Sequence, residues 1–183
     1  PGARLYAAVQ PGRLENVLVI GAGGGNDVAV ALAQGAEHVD AVEIDPELYQ
    51  LGKDNHPDQP YDDPRVDAHI DDGRAFLERS DTEYDLIVLA LPDSITLLSG
   101  QSALRLESYL FTEEALTAAR DHLAPDGVFA MYNYYQEEWL LDRYGNTLNR
   151  VFGAPPCLQT MVPGAGEFGV DLDAFIAGGT PES

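Results

Sequence analysis

Cysteine is nearly absent from this chain of 183 residues, which contains only Cys157. One cysteine cannot form an internal disulfide, and the cysteine and histidine positions show no spacing typical of a zinc site, so we expect no metal. A chain without disulfides suits a reducing compartment, and we therefore predict a cytoplasmic location.

Positive charge is also scarce. The chain has 10 lysines and arginines against 31 acidic residues, a net charge of −21, and Lys53 is its only lysine. Because no basic patch is available to neutralise phosphates, we expect no nucleic acid partner. The negative charge either attracts a cationic substrate such as a polyamine or favours solubility. We prefer the second interpretation, because net charge governs solubility before specificity.

Long hydrophobic runs are missing as well. A membrane helix needs about 18 apolar residues, whereas the longest apolar candidate, residues 86–91, is bounded by Asp85 and Pro92 and is typical of a buried strand. No signal peptide is visible. The chain begins at Pro1 without a methionine. We therefore expect residues 1–183 to be one domain of a longer protein.

The elements that are present alternate between strands and helices. Asn26 is a candidate N-cap, residues 125–127 are a turn signal, and Trp139, Leu148 and Val151 are, with Leu140, the candidate core residues of a late helix. The pattern predicts strands at 16–21, 38–44, 66–70, 84–91, 127–132, 156–162 and 172–177, with helices at 27–34, after Pro46, and at 72–79, 112–123 and 137–151.

This alternation indicates a parallel sheet with helices on both faces. The last two strands have no helix between them, which favours an antiparallel hairpin at one edge. We therefore predict an α/β protein with a Rossmann-like class I methyltransferase fold, built on a mostly parallel seven-stranded sheet with an antiparallel C-terminal edge hairpin.

Three glycines follow the first predicted strand and precede a helix. Gly21, Gly23 and Gly25 allow the backbone to turn sharply and to approach a ligand closely. The free N–H groups at the helix start favour polar or anionic ligand groups. The segment is either a cofactor-binding loop or only a tight turn between strand and helix.

Glu43 ends the second predicted strand, about 20 residues after the glycines, where an acidic residue can accept hydrogen bonds from ribose hydroxyls. The alternative is a solvated strand end. Asp45 is expected to cap the next helix. NAD is the competing cofactor, but its third glycine position is occupied by Asn26. The glycines follow a G-x-G-x-G pattern, which is typical of proteins that bind S-adenosylmethionine.

Asp71 and Asp72 follow the third predicted strand. Either carboxylate can accept a hydrogen bond from an adenine amino group, and Asp72 is the better candidate. Alternatively, these residues only cap the helix that follows. All three motifs lie at the carboxyl ends of successive strands, where open α/β sheets bind ligands.

Taken together, these motifs resemble the catalytic domain of the spermidine synthase family, whose members are aminopropyltransferases with a methyltransferase-like fold. The resemblance covers about three quarters of the chain, from Val17 to about Phe152. The matching segments are VLVIGAGGGND, VEIDPEL, DDPRV, DDGRAFL, YDLIVLALPDS, LFTEEAL and LAPDGVFAMYN.

The resemblance implies transfer of an aminopropyl group from decarboxylated S-adenosylmethionine to an amine such as putrescine, with no metal. It assigns to Asp93 the orientation and deprotonation of the attacking amine. The family's first acid in this segment is replaced by Ala90, and the acid of its glycine loop is replaced by Gly24. Without a charge at Gly24, discrimination against intact S-adenosylmethionine should weaken.

Other features leave the function open. The family's N-terminal β-hairpin domain is not matched. Residues 97–109 resemble a subgroup fused to membrane segments, and form either a lid or a surface segment. Tyr132, Tyr134 and Tyr135 either cradle a cation or only pack. Besides an aminopropyltransferase, which can be a homodimer, the sequence permits an S-adenosylmethionine-dependent methyltransferase of unknown acceptor or a non-catalytic nucleoside-binding domain.

Overall fold

The computed structural model describes residues 14–90, 110–134, 138–162 and 172–178. The strands in these ranges are β1 (Asn16–Ile20), β2 (His38–Glu43), β3 (Val66–Ile70), β4 (Tyr84–Ala90), β5 (Leu123–Tyr134), β6 (Cys157–Val162) and β7 (Leu172–Gly178). The helices are α1 (Asn26–Ala33), α2 (Pro46–Asn55), α3 (Gly73–Arg79), α4 (Glu113–Asp121) and α5 (Glu138–Phe152), with a 3-10 turn at Pro60–Asp62.

These strands form one sheet in the order β3-β2-β1-β4-β5-β7-β6. The neighbours from β3 to β5 pair in parallel, whereas β7 is antiparallel to both β5 and β6. The predicted mostly parallel seven-stranded sheet with an antiparallel C-terminal edge is thereby confirmed. Each parallel crossover returns the chain to the same end of the sheet, so the carboxyl ends of β1 to β5 lie at one edge.

The central strands are apolar over most of their length because helices cover both faces of the sheet. Successive residues of β1 point to opposite faces. Val17 and Val19 pack in a core with α1, whereas Leu18 and Ile20 pack in a core with α3, α4 and α5. None of the helices in the described ranges combines the length and the apolarity needed to cross a bilayer.

The structure corrects the predicted start of α1. The expected N-cap, Asn26, is the first helical residue, and the cap position belongs to Gly25, which makes no side-chain capping hydrogen bond. Gly25 has a φ of 91°, a conformation that L side chains rarely adopt. The glycine loop therefore enters the helix one residue earlier than the sequence suggested, and Asp27 lies in the first turn.

The interpretation of Trp139 as a core residue is wrong, because 56% of this residue is exposed. Leu148 and Val151 are buried as predicted, and Leu140 is partly buried against the same core. At about 100° per residue, Trp139 lies on the face of α5 opposite to Leu148. The core position predicted for Trp139 rests on its hydrophobicity alone, and the helical period contradicts that prediction.

The turn predicted at residues 125–127 lies within β5. Tyr84 pairs with Leu123 and Leu86 pairs with Val128, so the register shifts and β5 carries additional residues at this point. A side chain at Gly127 would come within 2.6 Å of the Tyr84 carbonyl oxygen. The turn-forming residues are accommodated as an irregularity in the strand, of the kind that a β-bulge produces.

Candidate functional site

The loop between β1 and α1 approaches its neighbours so closely that side chains would not fit. Gly21 has a φ of 78°, and a Cβ atom there would collide with the Ala90 carbonyl oxygen at the end of β4. A Cβ atom at Gly25 would lie 2.8 Å from Pro60 Cγ. The N–H groups of Gly21 and Ala22 donate to the Val42 carbonyl at 2.9 and 3.1 Å. The loop is thus fixed against both neighbouring strands.

Glu43 connects the carboxyl end of β2 to this loop. Its Oε2 accepts a hydrogen bond from the Gly23 N–H at 2.7 Å, and its Oε1 accepts one from the Asp45 N–H at 2.8 Å. The residue is 6% exposed. A carboxylate offers about four acceptor positions, so each oxygen keeps capacity for a ligand hydroxyl after these two bonds. Glu43 therefore organises the loop and still presents acceptor atoms beside it.

Asp45 has the capping role that the sequence predicted. Its Oδ1 accepts hydrogen bonds from the N–H groups of Glu47 and Leu48 at 2.8 and 3.4 Å, at the start of α2. The helix begins with Pro46, whose fixed φ suits the first turn. Asp45 is therefore committed to α2, and Glu43 is the acid of this segment that faces the glycine loop.

Tyr61 is a member of the site that the sequence analysis missed. Its hydroxyl donates to the Gly23 carbonyl at 2.7 Å, and its ring packs edge-on against Tyr49 with 4.8 Å between centroids. Burial, with the nearby Glu43 carboxylate, raises the pKa of Tyr61, so the hydroxyl stays a donor at neutral pH. Gly23 is thus held on its N–H side by Glu43 and on its carbonyl side by Tyr61.

Asp71 and Asp72 lie where β3 ends and α3 begins. Asp72 Oδ1 accepts from the Ala75 N–H at 2.9 Å and caps α3. Asp71 accepts from the Asp72 N–H at 2.9 Å and forms an ion pair with Arg79. Asp72 therefore caps the following helix, as one of its two predicted roles required. Contact of either carboxylate with adenine stays a prediction.

Asp27 and Tyr132 join α1 to the carboxyl end of β5. The Tyr132 hydroxyl donates to Asp27 Oδ2 at 2.5 Å, and Asp27 is 8% exposed. Desolvation raises the pKa of Asp27, and the hydrogen bond from Tyr132 opposes part of that rise. In the glycine loop, a Cβ atom at Gly24 would have no heavy atom of the described ranges within 4 Å, so the loop is open on that side.

The structure brings most of the predicted site together. Gly21, Glu43 and Asp72 follow or end β1, β2 and β3 at the same edge of the sheet, as expected. Asp93 and the lid candidate, residues 97–109, lie outside the described residues. The described side chains offer a glycine loop at a helix start and carboxylates at two strand ends. These are the groups that a nucleoside with a polar tail requires.

Comparisons with known proteins agree with this geometry. Residues 6–169 match the family model described as the spermine/spermidine synthase domain. A polyamine aminopropyltransferase of Alkaliphilus metalliredigens is 30% identical over 163 residues, covering 85% of this chain and 54% of that protein. The enzyme of the same name from Buchnera aphidicola is 32% identical over 159 residues, covering 83% of this chain and 52% of that protein. The chain spans about half the length of the curated relatives it matches.

Solved structures show the same fold at lower identity. A spermidine synthase in complex with the transition state analogue AdoDATO superposes with a TM-score of 0.76 at 21% identity, covering 97% of this chain and 60% of that one. The human methyltransferase-like protein 13 in complex with SAH superposes with a TM-score of 0.72 at 21% identity. The match covers 98% of this chain and 80% of that one. The family model spans most of the sequence, and this chain therefore belongs to the spermine/spermidine synthase domain family.

Proposed function

We propose that this domain is an aminopropyltransferase that moves an aminopropyl group from decarboxylated S-adenosylmethionine to a polyamine such as putrescine. The observation that carries the proposal is the contact between Glu43 and Gly23, which sets a buried carboxylate with spare acceptor positions against the glycine loop in a chain of this family. The relatives from Alkaliphilus metalliredigens and Buchnera aphidicola are named polyamine aminopropyltransferases, which supports the reaction type.

The donor is proposed to lie along the carboxyl edge of the sheet. Gly21, Gly23 and Gly25 let it approach the start of α1, where the partial positive charge of a helix N-terminus favours polar ligand groups. Glu43 accepts hydrogen bonds from the ribose hydroxyls with the acceptor positions that its two backbone contacts leave. Asp72, or Asp71 beside it, accepts from the adenine amino group. The described carboxylates thus fix the nucleoside, which orients the donor's reactive carbon.

Transfer is proposed to be a direct displacement. The donor supplies a carbon activated by its neighbouring sulfonium. The amine nitrogen forms a bond to that carbon, the carbon–sulfur bond breaks, and methylthioadenosine leaves. Asp93, which the family resemblance places beside the acceptor, orients the amine and accepts its proton. A positioned base of this kind contributes typically 10²–10⁴-fold to a rate.

A methyltransferase that uses intact S-adenosylmethionine is the second candidate. The uncharged Gly24 favours it, because the family's acid at this position, which would repel the carboxylate of the intact cofactor, is absent. A non-catalytic nucleoside-binding domain is the third candidate, and the apolar Ala90 in place of the family's first acid favours it.

Calorimetry separates these candidates. Methylthioadenosine, decarboxylated S-adenosylmethionine, intact S-adenosylmethionine and NAD are titrated in turn into the purified chain. We expect saturable binding of the three adenosyl compounds and none of NAD. Binding of NAD in preference to methylthioadenosine would overturn the proposed site. Turnover of the donor with putrescine then distinguishes an enzyme from a binding domain.

The wider setting is proposed from the same resemblance. We propose that residues 1–183 are one domain of a longer protein, that the domain works in the cytoplasm, and that its acceptor is a small amine. Homodimer formation and additional membrane segments stay predictions.

A further inference from the structure

Two neighbouring strands carry a second cluster of polar side chains, away from the carboxyl edge. His38 and Asp40 lie on β2, and Asp67 lies beside Asp40 on β3 in the parallel register. His69, two residues further along β3, packs its ring against Phe76 of α3 at 4.7 Å between centroids. These side chains therefore share the face of the sheet that α3 covers.

Asp40 is the centre of this cluster and is only 7% exposed. Its Oδ1 lies 2.7 Å from His69 Nε2, and its Oδ2 accepts a hydrogen bond from the Tyr84 hydroxyl at 2.8 Å. His38 Nε2 lies 3.4 Å from Asp40 Oδ2 and 3.9 Å from Asp67 Oδ2. The side chain of Asp67 is 71% exposed, so the cluster opens to solvent on that side.

The charges of the cluster are not balanced by a permanent cation. Throughout the described ranges, the ion pairs of Asp40 and Asp67 are with histidines, and none is with a lysine or an arginine. Burial makes the charge of Asp40 costly unless a positive group compensates it, whereas Asp67 stands largely in solvent. Two carboxylates with neutral imidazoles would leave two negative charges, and a divalent cation would cancel both.

The spacing of the donor atoms suits such a cation. One ligand atom each from His38, Asp40 and Asp67 lie within 4.8 Å of one another. Ligands at about 2.0–2.2 Å around a tetrahedral Zn²⁺ are separated by roughly 3.3–3.6 Å, so small side-chain rotations would bring the three atoms to an ion. Three protein ligands leave a fourth position for water.

We propose that His38, Asp40 and Asp67 form a binding site for a divalent transition metal ion, represented by Zn²⁺. His69 and Tyr84 hold Asp40 in place through its two oxygens, which is the supporting role that hydrogen-bonded neighbours of metal ligands play. The imidazole ligand favours Zn²⁺ over Mg²⁺ and Ca²⁺, which prefer oxygen ligands alone. The ion would tie the edge strand β3 to β2 and stabilise the sheet.

The spacing of cysteines and histidines along one segment of the sequence predicts no metal site. Here the ligands come from two strands, almost 30 residues apart in sequence, and only their register places them together. The proposed site is independent of aminopropyl transfer, so each can fail without the other.

The test is calorimetric titration of Zn²⁺ into the full chain after treatment with a chelator and its removal. We expect one saturable site, with affinity lowered at least tenfold in His38→Ala and in Asp67→Asn. Both side chains are partly or largely exposed, so both variants should fold, which circular dichroism checks. His56→Ala and Asp58→Asn remove the same chemical groups from an exposed part of the chain and should bind as the wild type does.

Two further measurements complete the test. Zn²⁺ should raise the melting temperature of the wild type and of both control variants, but not that of His38→Ala. Co²⁺ should give a visible absorption band that His38→Ala removes. Equal Zn²⁺ affinity in the wild type, His38→Ala and Asp67→Asn, or Mg²⁺ binding as tight as that of Zn²⁺, would overturn the proposal. Such a result would mean that the acidic surface attracts cations without a specific site.

Discussion

Glu43 Oε2 accepts the Gly23 N–H at 2.7 Å, and this bond joins the acidic end of β2 to the glycine loop after β1. The carboxylate that the sequence predicts for ribose recognition therefore also holds the loop in shape. A substitution at Glu43 should for this reason affect both folding stability and ligand affinity.

Glu43→Ala should weaken methylthioadenosine binding by about 1–3 kcal/mol, the cost of losing a hydrogen bond to a charged group. Calorimetry measures this loss. Asp45→Ala is the matched control, because it removes the cap of α2, at a typical cost of about 1 kcal/mol, without touching Gly23. If Glu43→Ala folds and binds methylthioadenosine as tightly as Asp45→Ala does, Glu43 has no part in ribose recognition.

The bond between Tyr132 and Asp27 predicts a pH-dependent change in stability. Burial raises the pKa of Asp27 above its ordinary value near 3.8, and the Tyr132 hydroxyl opposes this rise. Asp27 thus keeps its proton to a higher pH in the folded state than in the unfolded state. The free energy of unfolding therefore falls as pH rises from the unfolded-state pKa of Asp27 to its folded-state pKa. Tyr132→Phe should raise the folded-state pKa further and deepen that loss.

Urea unfolding at several pH values measures the effect. Tyr132→Phe should be less stable than the wild type at neutral pH, and this difference in unfolding free energy should shrink as pH falls towards 3.8, because Asp27 then becomes protonated in both folded proteins. In a protein that already carries Asp27→Asn, Tyr132→Phe should change the free energy of unfolding by an amount that does not vary with pH. A pH-dependent difference in that background would assign the effect to another group.

Donor choice should depend on the uncharged Gly24. A Cβ atom there meets nothing within 4 Å in the described ranges, so the loop tolerates a side chain. We expect intact and decarboxylated S-adenosylmethionine to bind the wild type within about tenfold of each other, or roughly 1.4 kcal/mol. Gly24→Asp should selectively weaken the intact form, because the added carboxylate would repel the carboxylate of that ligand.

Gly24→Asn is the control for size, since it adds nearly the same atoms without a charge. Calorimetry with both ligands on the three proteins decides the matter. A wild-type preference for the decarboxylated form well beyond tenfold would show that another group supplies the repulsion. Asp27 in the first turn of α1 would be the first residue to substitute in that event.

Asp93 should matter for transfer and not for nucleoside binding. Asp93→Asn keeps the size of the side chain and removes the proposed proton acceptor, so kcat should fall by about 10²–10⁴-fold. Methylthioadenosine affinity should stay near that of the wild type. Steady-state kinetics and calorimetry provide the two readouts, with Asp58→Asn as a control for loss of one surface charge. An unchanged kcat would remove Asp93 from the reaction.

The central strands could be predicted from sequence because they contain short apolar runs bounded by glycine, proline or acidic residues. Residues 17–20 are buried in β1, and Gly21 follows at once. The positions of Glu43 and Asp72 at one edge followed from parallel topology, which needs no side-chain detail.

The contacts that shape the site could not be predicted in the same way. Tyr61 meets Gly23 across 38 residues of sequence, and Tyr132 meets Asp27 across 105. Neither tyrosine follows a periodic pattern that indicates a partner, because such pairs depend on how elements distant in sequence pack after the sheet has formed. The exposed position of Trp139 shows the opposite error, in which residue type outweighed the helical period.

The most direct test of aminopropyl transfer is mass spectrometry of the products after the chain is incubated with decarboxylated S-adenosylmethionine and putrescine. We predict equal amounts of spermidine and methylthioadenosine, and their loss in Asp93→Asn. Parallel incubation with intact S-adenosylmethionine and putrescine should give no methylated amine. Methylated putrescine in that reaction, or methylthioadenosine binding without any spermidine, would contradict the proposed activity.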